Sequence, residues 1–262
     1  MKQRIDVYLT ANGLADSREK AQALIMAGQV YIGEKKVLKA SEQVAPDAPV
    51  VIRGAQDAFA SRGGHKLEKA VAAFRADVTG RVAMDIGAAA GGFTDVLLRH
   101  GAAHVYAIDV GYGQLDWKLR NDPRVTVMER TNARTLTAEQ FDPRPDLTVM
   151  DVSFISIKLI LPSLKPLLKE NADLVCLIKP QFEAGREDVG KKGVVRDSEV
   201  HARVIRDILS FAPQIGLSPV GLDYSPIRGP EGNIEFICHM KNGPAPSTEF
   251  DVDGIVAASH SL

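Results

Sequence analysis

The chain has 262 residues, with 32 lysines and arginines against 33 aspartates and glutamates, so its formal net charge is −1 at pH 7. Hydrophobic residues make up 45% and charged residues 25%, which are globular values that exclude an intrinsically disordered or fibrous chain. The neutral balance also excludes an overall basic surface, so any binding of nucleic acid must rest on local positive charge.

Residues 1–58 are predicted to form a small module of two helices followed by short strands. The first helix covers about residues 4–12. The second begins after Asp16, which is placed to cap it with Glu19 three residues later, and ends at Gly28 in the left-handed position after the helix. Strand-like runs follow at residues 30–32 and 50–52. Residues 59–65 are predicted to be a linker.

Between residues 66 and 242, strand-like and helix-like runs alternate. The strand-like runs are residues 82–86, 104–110, 125–129, 147–151 and 174–179. The helix-like runs are residues 92–100, 113–121, 157–169 and 197–212. This alternation is typical of βαβ units on a parallel sheet. Two late runs, 219–225 and 232–240, are expected to pair antiparallel at one edge, and residues 243–262 to form a mobile tail.

The cysteines and the apolar segments indicate the cellular compartment of the protein. Cys176 and Cys238 are too few for a disulfide scaffold and lie in strand-like runs, so we expect buried thiols in a reducing compartment. The start of the chain has no apolar run behind its charges, and no stretch reaches the roughly 18 apolar residues of a transmembrane helix. The sequence therefore predicts a cytoplasmic protein that is not inserted in a membrane.

The first strand of the alternating region ends in a glycine-rich turn, D-I-G-A-A-A-G-G-F, which starts at Asp85. Such a turn lets a ligand approach backbone amides at a helix N-terminus. The nicotinamide pattern G-x-G-x-x-G fails, because Ala89 occupies its second glycine position. An acidic residue two positions before Gly87 resembles the first motif of class I methyltransferases, whose ligand is S-adenosylmethionine. Asp109 ends the next strand, where a carboxylate accepts hydrogen bonds from ribose hydroxyls. The alternative is a purely structural turn.

Four further charged residues stand at the ends of apolar runs. Asp151 and Lys179 end two strands, Glu235 lies inside the last strand-like run, and Lys66 enters the helix before the first strand. One interpretation is ion pairing alone, Lys179 with Asp151 and Lys66 with Glu235. The other is a shared polar centre beside the methyl group of the cofactor. There, burial and the second lysine would lower a lysine pKa, so that this lysine takes a proton from a hydroxyl nucleophile or orients it.

Taken together, the motifs resemble a known family. S-R-G-G-H-K-L, D-I-G-A-A-A-G-G-F-T-D, D-V-S-F-I-S, K-P-Q-F-E and G-P-E-G-N-I-E are similar to motifs of the TlyA family of ribosomal-RNA 2′-O-methyltransferases, historically called hemolysins. The N-terminal module resembles the small RNA-binding domain known as the alpha-L motif. The resemblance implies an α/β fold, a class I (Rossmann-like) S-adenosylmethionine-dependent methyltransferase of the FtsJ type, behind a small α+β RNA-binding domain.

The resemblance also implies roles for single residues. The Lys-Asp-Lys-Glu tetrad of the family corresponds to Lys66, Asp151, Lys179 and Glu235. The predicted cofactor-binding residues are Asp85, Gly87, Gly91, Gly92, Asp109, Asn132 and Ala133, with Asn132 at the adenine edge. Ala89 and Ala90 stand where the family usually has small hydroxyl residues, so a weaker affinity for the cofactor is expected.

We expect RNA binding to depend on lysines and arginines at particular positions rather than on the net charge of the chain. The predicted RNA-binding residues are Arg4, Arg18, Lys20, Lys36 and Arg62, with Arg134, Lys191 and Lys192 as an extension; a plain solvated surface is the alternative for each. No metal is predicted, because the sequence has no C-x-x-C or H-x-x-x-H spacing.

The sequence thus predicts 2′-O-methylation of a ribose, a cytidine by family resemblance, in the ribosomal RNA of the large subunit or of both subunits. Its partner would be ribosomal RNA or a ribosomal subunit. One alternative is a membrane-active hemolysin, which would need an apolar span or a basic amphipathic helix that the sequence lacks. The other is an RNA-binding protein without catalysis, against which the complete tetrad argues.

Overall fold

The computed structural model describes residues 2–26, 28–33, 35–46, 48–52 and 59–262. Contacts divide the chain into two units, residues 1–58 and 59–262. Residues 53–58, the end of the predicted N-terminal module, lie outside the described residues.

The described residues of the first unit form two short helices and five very short strands. The helices are α1 (Ile5–Ala11) and α2 (Arg18–Met26). The strands are β1 (Gln3–Arg4), β2 (Val30–Ile32), β3 (Lys35–Lys36), β4 (Gln43–Val44) and β5 (Val50–Ile52). Strands β3, β2 and β5 form one antiparallel sheet, and β1 pairs with β4. Apolar residues of both helices meet those of the strands in a small core, in which Ile5, Leu9, Ile25 and Val30 are buried.

The caps of α2 agree with the sequence at one end only. Gly28 has a φ of +69°, as the left-handed position after a helix requires. At the other end the prediction that Asp16 caps the helix is wrong. The hydroxyl of Ser17 accepts the backbone N–H of Lys20 at 3.2 Å, which places the cap one residue later and removes Glu19 from the capping-box position.

The second unit is built on one seven-stranded sheet. Its strands are β6 (Val82–Ile86), β7 (His104–Ile108), β8 (Val125–Met128), β9 (Leu147–Met150), β10 (Asp173–Ile178), β11 (Leu217–Tyr224) and β12 (Phe236–Asn242). Their order across the sheet is β11-β12-β10-β9-β6-β7-β8. The five strands from β10 to β8 are parallel, and β12 runs antiparallel to both of its neighbours. The predicted parallel sheet with an antiparallel edge pair is confirmed.

Helices cover this sheet, and apolar clusters fill the space on its two faces. The helices are α3 (Gly64–Phe74), α4 (Gly92–Arg99), α5 (Trp117–Arg120), α6 (Leu161–Leu164), α7 (Pro180–Glu183), α8 (Ser198–Gln214) and α9 (Val252–Ser259). Cys176 and Cys238 are buried free thiols on directly opposite positions of β10 and β12, as predicted.

Three predicted segments differ from the structure. The helix predicted over 157–169 is split into a 3₁₀ turn, α6 and a second 3₁₀ turn, because Pro162 and Pro166 cannot continue a regular hydrogen-bond ladder. The helix predicted over 113–121 forms only at α5. Part of the predicted linker 59–65 belongs to the second unit, since Phe59 packs on its core and α3 begins at Gly64.

The prediction of a mobile tail is wrong for the part that forms α9. Asp251 caps this helix by accepting the N–H of Gly254 at 2.9 Å. Val252 and Val256 then face α8 and are buried, and Arg206 of α8 pairs with Asp253 at 2.6 Å. Capping and burial together fix the segment against the domain.

Candidate active site

The carboxyl ends of the parallel strands meet at one edge of the sheet, and the predicted site residues lie there. Asp151 follows β9 directly, Lys179 follows β10, and Asp109 follows β7. Because β12 runs in the opposite direction, the residue before it reaches the same edge. Glu235 is that residue, so it precedes the strand rather than lying inside it as predicted.

The four residues of the predicted tetrad form one connected ion-pair cluster. The Lys66 Nζ atom lies 2.6 Å from Glu235 Oε2 and 3.1 Å from Asp151 Oδ2. The Lys179 Nζ atom lies 2.5 Å from Asp151 Oδ1. Asp151 therefore bridges both lysines; the other three residues are buried, and Asp151 is partly exposed. The structure contains both ion pairs of the simpler interpretation and adds the contact that joins them.

Lys66 is not the lysine with a lowered pKa that the sequence predicted for this cluster. Burial acts to lower the pKa of Lys66, but the charges and hydrogen bonds of Asp151 and Glu235 outweigh it, and the pKa is raised. A lysine between two carboxylates keeps its proton. Lys66 is therefore a fixed ammonium that holds two carboxylates in place and cannot serve as a base near neutral pH.

Lys179 is held differently. It stands at the junction of β10 and α7, where Pro180 occupies the first helical position and directs the chain away from the sheet. Its ammonium also donates a hydrogen bond to Ser153 Oγ at 3.0 Å. Lys179 thus has one carboxylate and one neutral hydroxyl as partners, whereas Lys66 has two carboxylates.

The glycines of the turn after β6 are required by close contacts within the protein. A Cβ atom on Gly87 would lie 2.4 Å from the carbonyl oxygen of Asp151, and one on Gly92 would lie 2.3 Å from Ser61 Oγ. Gly87 and Gly91 have φ values of +85° and +93°, which side chains disfavour. The turn is thereby pressed against the end of β9, beside the tetrad.

Asp85 is fully buried under this turn and does not reach solvent. Its Oδ2 atom accepts a hydrogen bond from the Thr94 hydroxyl at 2.7 Å, while Oδ1 has no partner among the described residues. Burial raises the pKa of Asp85 to about 7, although the hydrogen bonds from Thr94 act to lower it. In this conformation Asp85 therefore cannot make the predicted direct contact with a cofactor that binds from solvent.

Asp109 and Asn132 border the other side of the turn. The Asp109 carboxylate accepts the N–H of Ala89 at 2.8 Å and that of Gly111 at 2.6 Å, which ties the turn to the end of β7. Asn132 is exposed and accepts the N–H of Arg134 at 3.0 Å, so it caps a 3₁₀ turn whose first residue, Ala133, is buried.

These residues fit the chemical groups of S-adenosylmethionine. The turn offers backbone N–H groups at the start of α4 to a carboxylate, and Asp109 keeps free lone pairs for ribose hydroxyls. Among the described residues, no group of three or more histidines, cysteines or acids is arranged to hold a metal ion.

One aromatic side chain beside the tetrad was not predicted. Phe154 is 91% exposed and has a φ of +65°, a conformation that costs a bulky residue about 1–3 kcal/mol. Its ring lies 5.2 Å from that of Phe182, and it follows Ser153, the partner of Lys179. The sequence signal was an aromatic residue in a polar strand-end segment, D-V-S-F, where no core position is expected.

The predicted RNA-binding cations are in different environments. Arg4 and Arg18 both pair with the buried Asp6, at 2.9 and 3.2 Å, and Lys20 pairs with Asp16 at 3.1 Å. Hydrogen bonds from Arg4 are the main reason that the pKa of Asp6 is strongly lowered. The two arginines therefore stabilise the first unit while remaining half exposed. Lys36 is exposed, and the end of its side chain lies beside Gly28, just after α2.

Arg62 is exposed, and no carboxylate of a described residue pairs with it. Within the described part of the chain, no helix is long and apolar enough to cross a membrane.

Comparison with known proteins agrees with this architecture. The profile of FtsJ-like methyltransferases matches residues 59–242, and that of the S4 domain matches residues 3–50. The chain is 51% identical to the candidate rRNA methyltransferase YqxC of Bacillus subtilis, over 91% of this chain and 85% of that one. It is 47% identical to the 16S/23S rRNA (cytidine-2′-O)-methyltransferase TlyA of Mycobacterium tuberculosis, over 92% and 90%.

A solved structure of a candidate hemolysin from Streptococcus thermophilus superposes with a TM-score of 0.79 at 43% identity, covering 99% of this chain and 96% of that one. The tetrad, the glycine turn and these matches lead to one assignment. The chain belongs to the FtsJ-like methyltransferase family, with an S4 domain at its N-terminal end.

Proposed function

We propose that the protein transfers a methyl group from S-adenosylmethionine to the 2′ oxygen of a cytidine ribose in ribosomal RNA. The observation that carries the proposal is the Lys66–Asp151–Lys179–Glu235 cluster at the sheet edge, directly beside the glycine turn. The substrate is supported by the S4 domain and by the rRNA cytidine methyltransferase of Mycobacterium tuberculosis, which is similar along nearly the whole chain.

The residues divide the work of this reaction. When bound, S-adenosylmethionine supplies a methyl group already activated on a sulfonium, so orientation and activation of the hydroxyl remain for the protein. Lys179 would donate a hydrogen bond to the 2′ oxygen and favour its alkoxide character. Asp151 holds Lys179 in that position, and Lys66, which Glu235 holds in turn, holds Asp151. The 2′ oxygen would accept the methyl group that the bound cofactor supplies, and the hydroxyl proton would be released to solvent.

The target nucleotide would leave its base stack to reach these residues, at a cost of a few kcal/mol. The exposed Phe154 ring is suited to offset part of this cost, because stacking on an aromatic side chain contributes about 1–3 kcal/mol per base. The S4 unit would contribute phosphate contacts through Arg4 and Arg18, whose guanidinium groups remain half exposed.

The variant Lys179→Ala tests the proposal. Tritiated S-adenosylmethionine is incubated with ribosomal RNA and with ribosomal subunits from a strain lacking the gene, and labelled 2′-O-methyl sites are mapped. We expect the wild-type protein to label a cytidine and the variant to lose transfer while it binds S-adenosylhomocysteine normally in calorimetry.

Lys69→Met is the matched control. Like Lys179, Lys69 pairs with an aspartate, Asp223, at 2.7 Å, but it lies on α3 outside the tetrad, so its loss should leave transfer intact. Normal methylation by Lys179→Ala would contradict the proposal. So would wild-type protein that binds cofactor and RNA without turnover, or one that lyses liposomes but leaves RNA unmodified.

A further inference from the structure

The segment between α7 and α8 contains a tight basic turn that the proposed mechanism does not use. The turn is G-K-K-G, from Gly190 to Gly193. The N–H of Gly193 donates to the Gly190 carbonyl at 2.8 Å, and the N–H of Gly190 donates to the Val194 carbonyl at 3.1 Å. Lys191 and Lys192 therefore occupy the tip of a closed turn, and both are exposed.

These lysines differ from those cations of the second unit that are neutralised by carboxylates. The paired cations include Lys69, Arg81, Arg99, Arg120, Arg124, Lys169, Arg203 and Arg206. Within the described ranges no carboxylate pairs with Lys191, Lys192 or the exposed Arg196. The nearby Asp188 is already occupied by Arg203. Three charges within six residues are thus left for an external anion.

The turn is anchored to the segment that contains Glu235 and directly precedes β12. The buried Asn233 accepts the N–H of Val195 at 3.1 Å and donates to the carbonyl of Gly193 at 2.9 Å. Val195 itself is buried. Asn233 is two residues from Glu235, a separation of roughly 7 Å in extended chain. The basic turn is therefore fixed in position next to the tetrad rather than attached by a free loop.

We propose that the turn Gly190–Gly193, with Arg196, binds backbone phosphates of the RNA strand that carries the target nucleotide, and that Asn233 is the residue that positions it. The inference rests on the proposed function, since it names a further contact for the same substrate. A flipped nucleotide must be held on both sides of its sugar, and backbone phosphates are the groups that lysines recognise without regard to sequence.

The double variant Lys191→Gln/Lys192→Gln tests the phosphate contact. With ribosomal RNA as the substrate, we expect KM for RNA to rise about tenfold, the size of two exposed charge contacts, with kcat unchanged. The slope of log affinity against log salt should become shallower by about 1.4, since each contact to a single strand contributes about 0.7. Binding of S-adenosylhomocysteine should not change.

Arg75→Gln/Lys165→Gln is the matched control for charge. It also removes two cations, but Arg75 follows the C-terminal end of α3 and Lys165 lies near Gly216, just before β11, so both are remote from the tetrad. We expect it to retain the wild-type KM and salt slope. An equal loss in this pair would overturn the proposal, because the effect would then follow net charge rather than position.

Asn233→Ser tests the positioning role through coupling. If Asn233 acts by holding the turn, Asn233→Ser should raise KM for RNA, and adding it to the double lysine variant should cause no further loss. If the increases in KM of Asn233→Ser and of the double lysine variant multiply, Asn233 has a separate structural role, and its proposed role in positioning the turn is wrong.

Wild-type KM and salt slope in the double lysine variant would refute the phosphate contact alone. A wild-type protein that does not bind ribosomal RNA would refute the proposed function as well.

Discussion

The pH dependence of stability offers a direct test of the buried carboxyl group under the glycine turn. Burial raises the pKa of Asp85 to about 7 in the folded protein, from 3.8 in the absence of structure. Because the folded-state pKa is the higher one, the folded protein binds the proton more tightly than the unfolded chain. The stability contributed by this group is therefore complete below about pH 4 and is lost as the pH rises through 7.

The size of this effect follows from the two pKa values. The difference between 3.8 and about 7 corresponds to roughly 4 kcal/mol of unfolding free energy. Between pH 4.5 and pH 8, roughly 3 kcal/mol of this should be lost from the wild-type protein. The variant Asp85→Asn has no proton to lose. Its unfolding free energy should therefore lack this loss of roughly 3 kcal/mol across the same pH interval.

Urea unfolding at pH 4.5 and pH 8 measures the difference. The single tryptophan of the chain, Trp117, lies in the second unit, so its fluorescence reports on the correct domain. Thr94→Val should shift the loss of stability to higher pH, because it removes a hydrogen bond that lowers the pKa of Asp85. Asp253→Asn, at an exposed carboxylate, is the control for the removal of a charge. Parallel pH curves for the wild type and Asp85→Asn would refute the reasoning.

Three further predictions concern other charged or close-packed positions. Burial acts to raise the pKa of Asp173, but hydrogen bonds from His239 and Lys241 lower it to about 2. The unfolding free energy of the wild type should therefore fall from pH 4 to pH 2. In acid-unfolding curves, this fall should be smaller for Asp173→Asn. A double-mutant cycle combines Lys66→Met and Glu235→Gln in urea unfolding. Each single variant should lose up to about 3–5 kcal/mol of unfolding free energy, and the double variant should lose less than the sum by at least about 1 kcal/mol. Additive losses would contradict the ion pair. Gly87→Ala, whose Cβ would meet the Asp151 carbonyl oxygen at 2.4 Å, should lower the melting temperature and abolish binding of S-adenosylhomocysteine; calorimetric binding at the wild-type affinity would contradict the close contact.

Strand-end residues of the site were predictable from local sequence, whereas the partners of those residues were not. Asp109, Asp151 and Lys179 each follow a strand, and parallel strands end at one edge. Lys66 lies at the start of a helix and Glu235 just before an antiparallel strand; the sequence singled them out as charged residues beside apolar runs, but it could not show which carboxylate each lysine contacts. The sequence predicted a lowered pKa for one lysine of the cluster, and it could not show that Lys66 is not that lysine because two carboxylates surround its ammonium.

Helix α9 was missed although the sequence contained a signal for it. Asp251 precedes an apolar stripe at Val252, Ile255 and Val256, which is the spacing of one helical face behind a capping residue. The stripe is short and contains Gly254, so local propensity alone is weak. Packing against α8 supplies the remaining stabilisation, and such tertiary contacts are not visible in a short window of sequence.

The charge distribution within the tetrad assigns the two lysines different tasks. The cluster is formally neutral, with two ammonium groups and two carboxylates, but the partners are not shared equally. Lys66 contacts both carboxylates, whereas Lys179 contacts only Asp151 and the neutral Ser153 hydroxyl. The uncompensated positive potential therefore lies on the side of Lys179. A 2′ oxygen that becomes negative during methyl transfer gains most from that side, so Lys179 is the lysine suited to meet the substrate, and Lys66 the one suited to hold the site together.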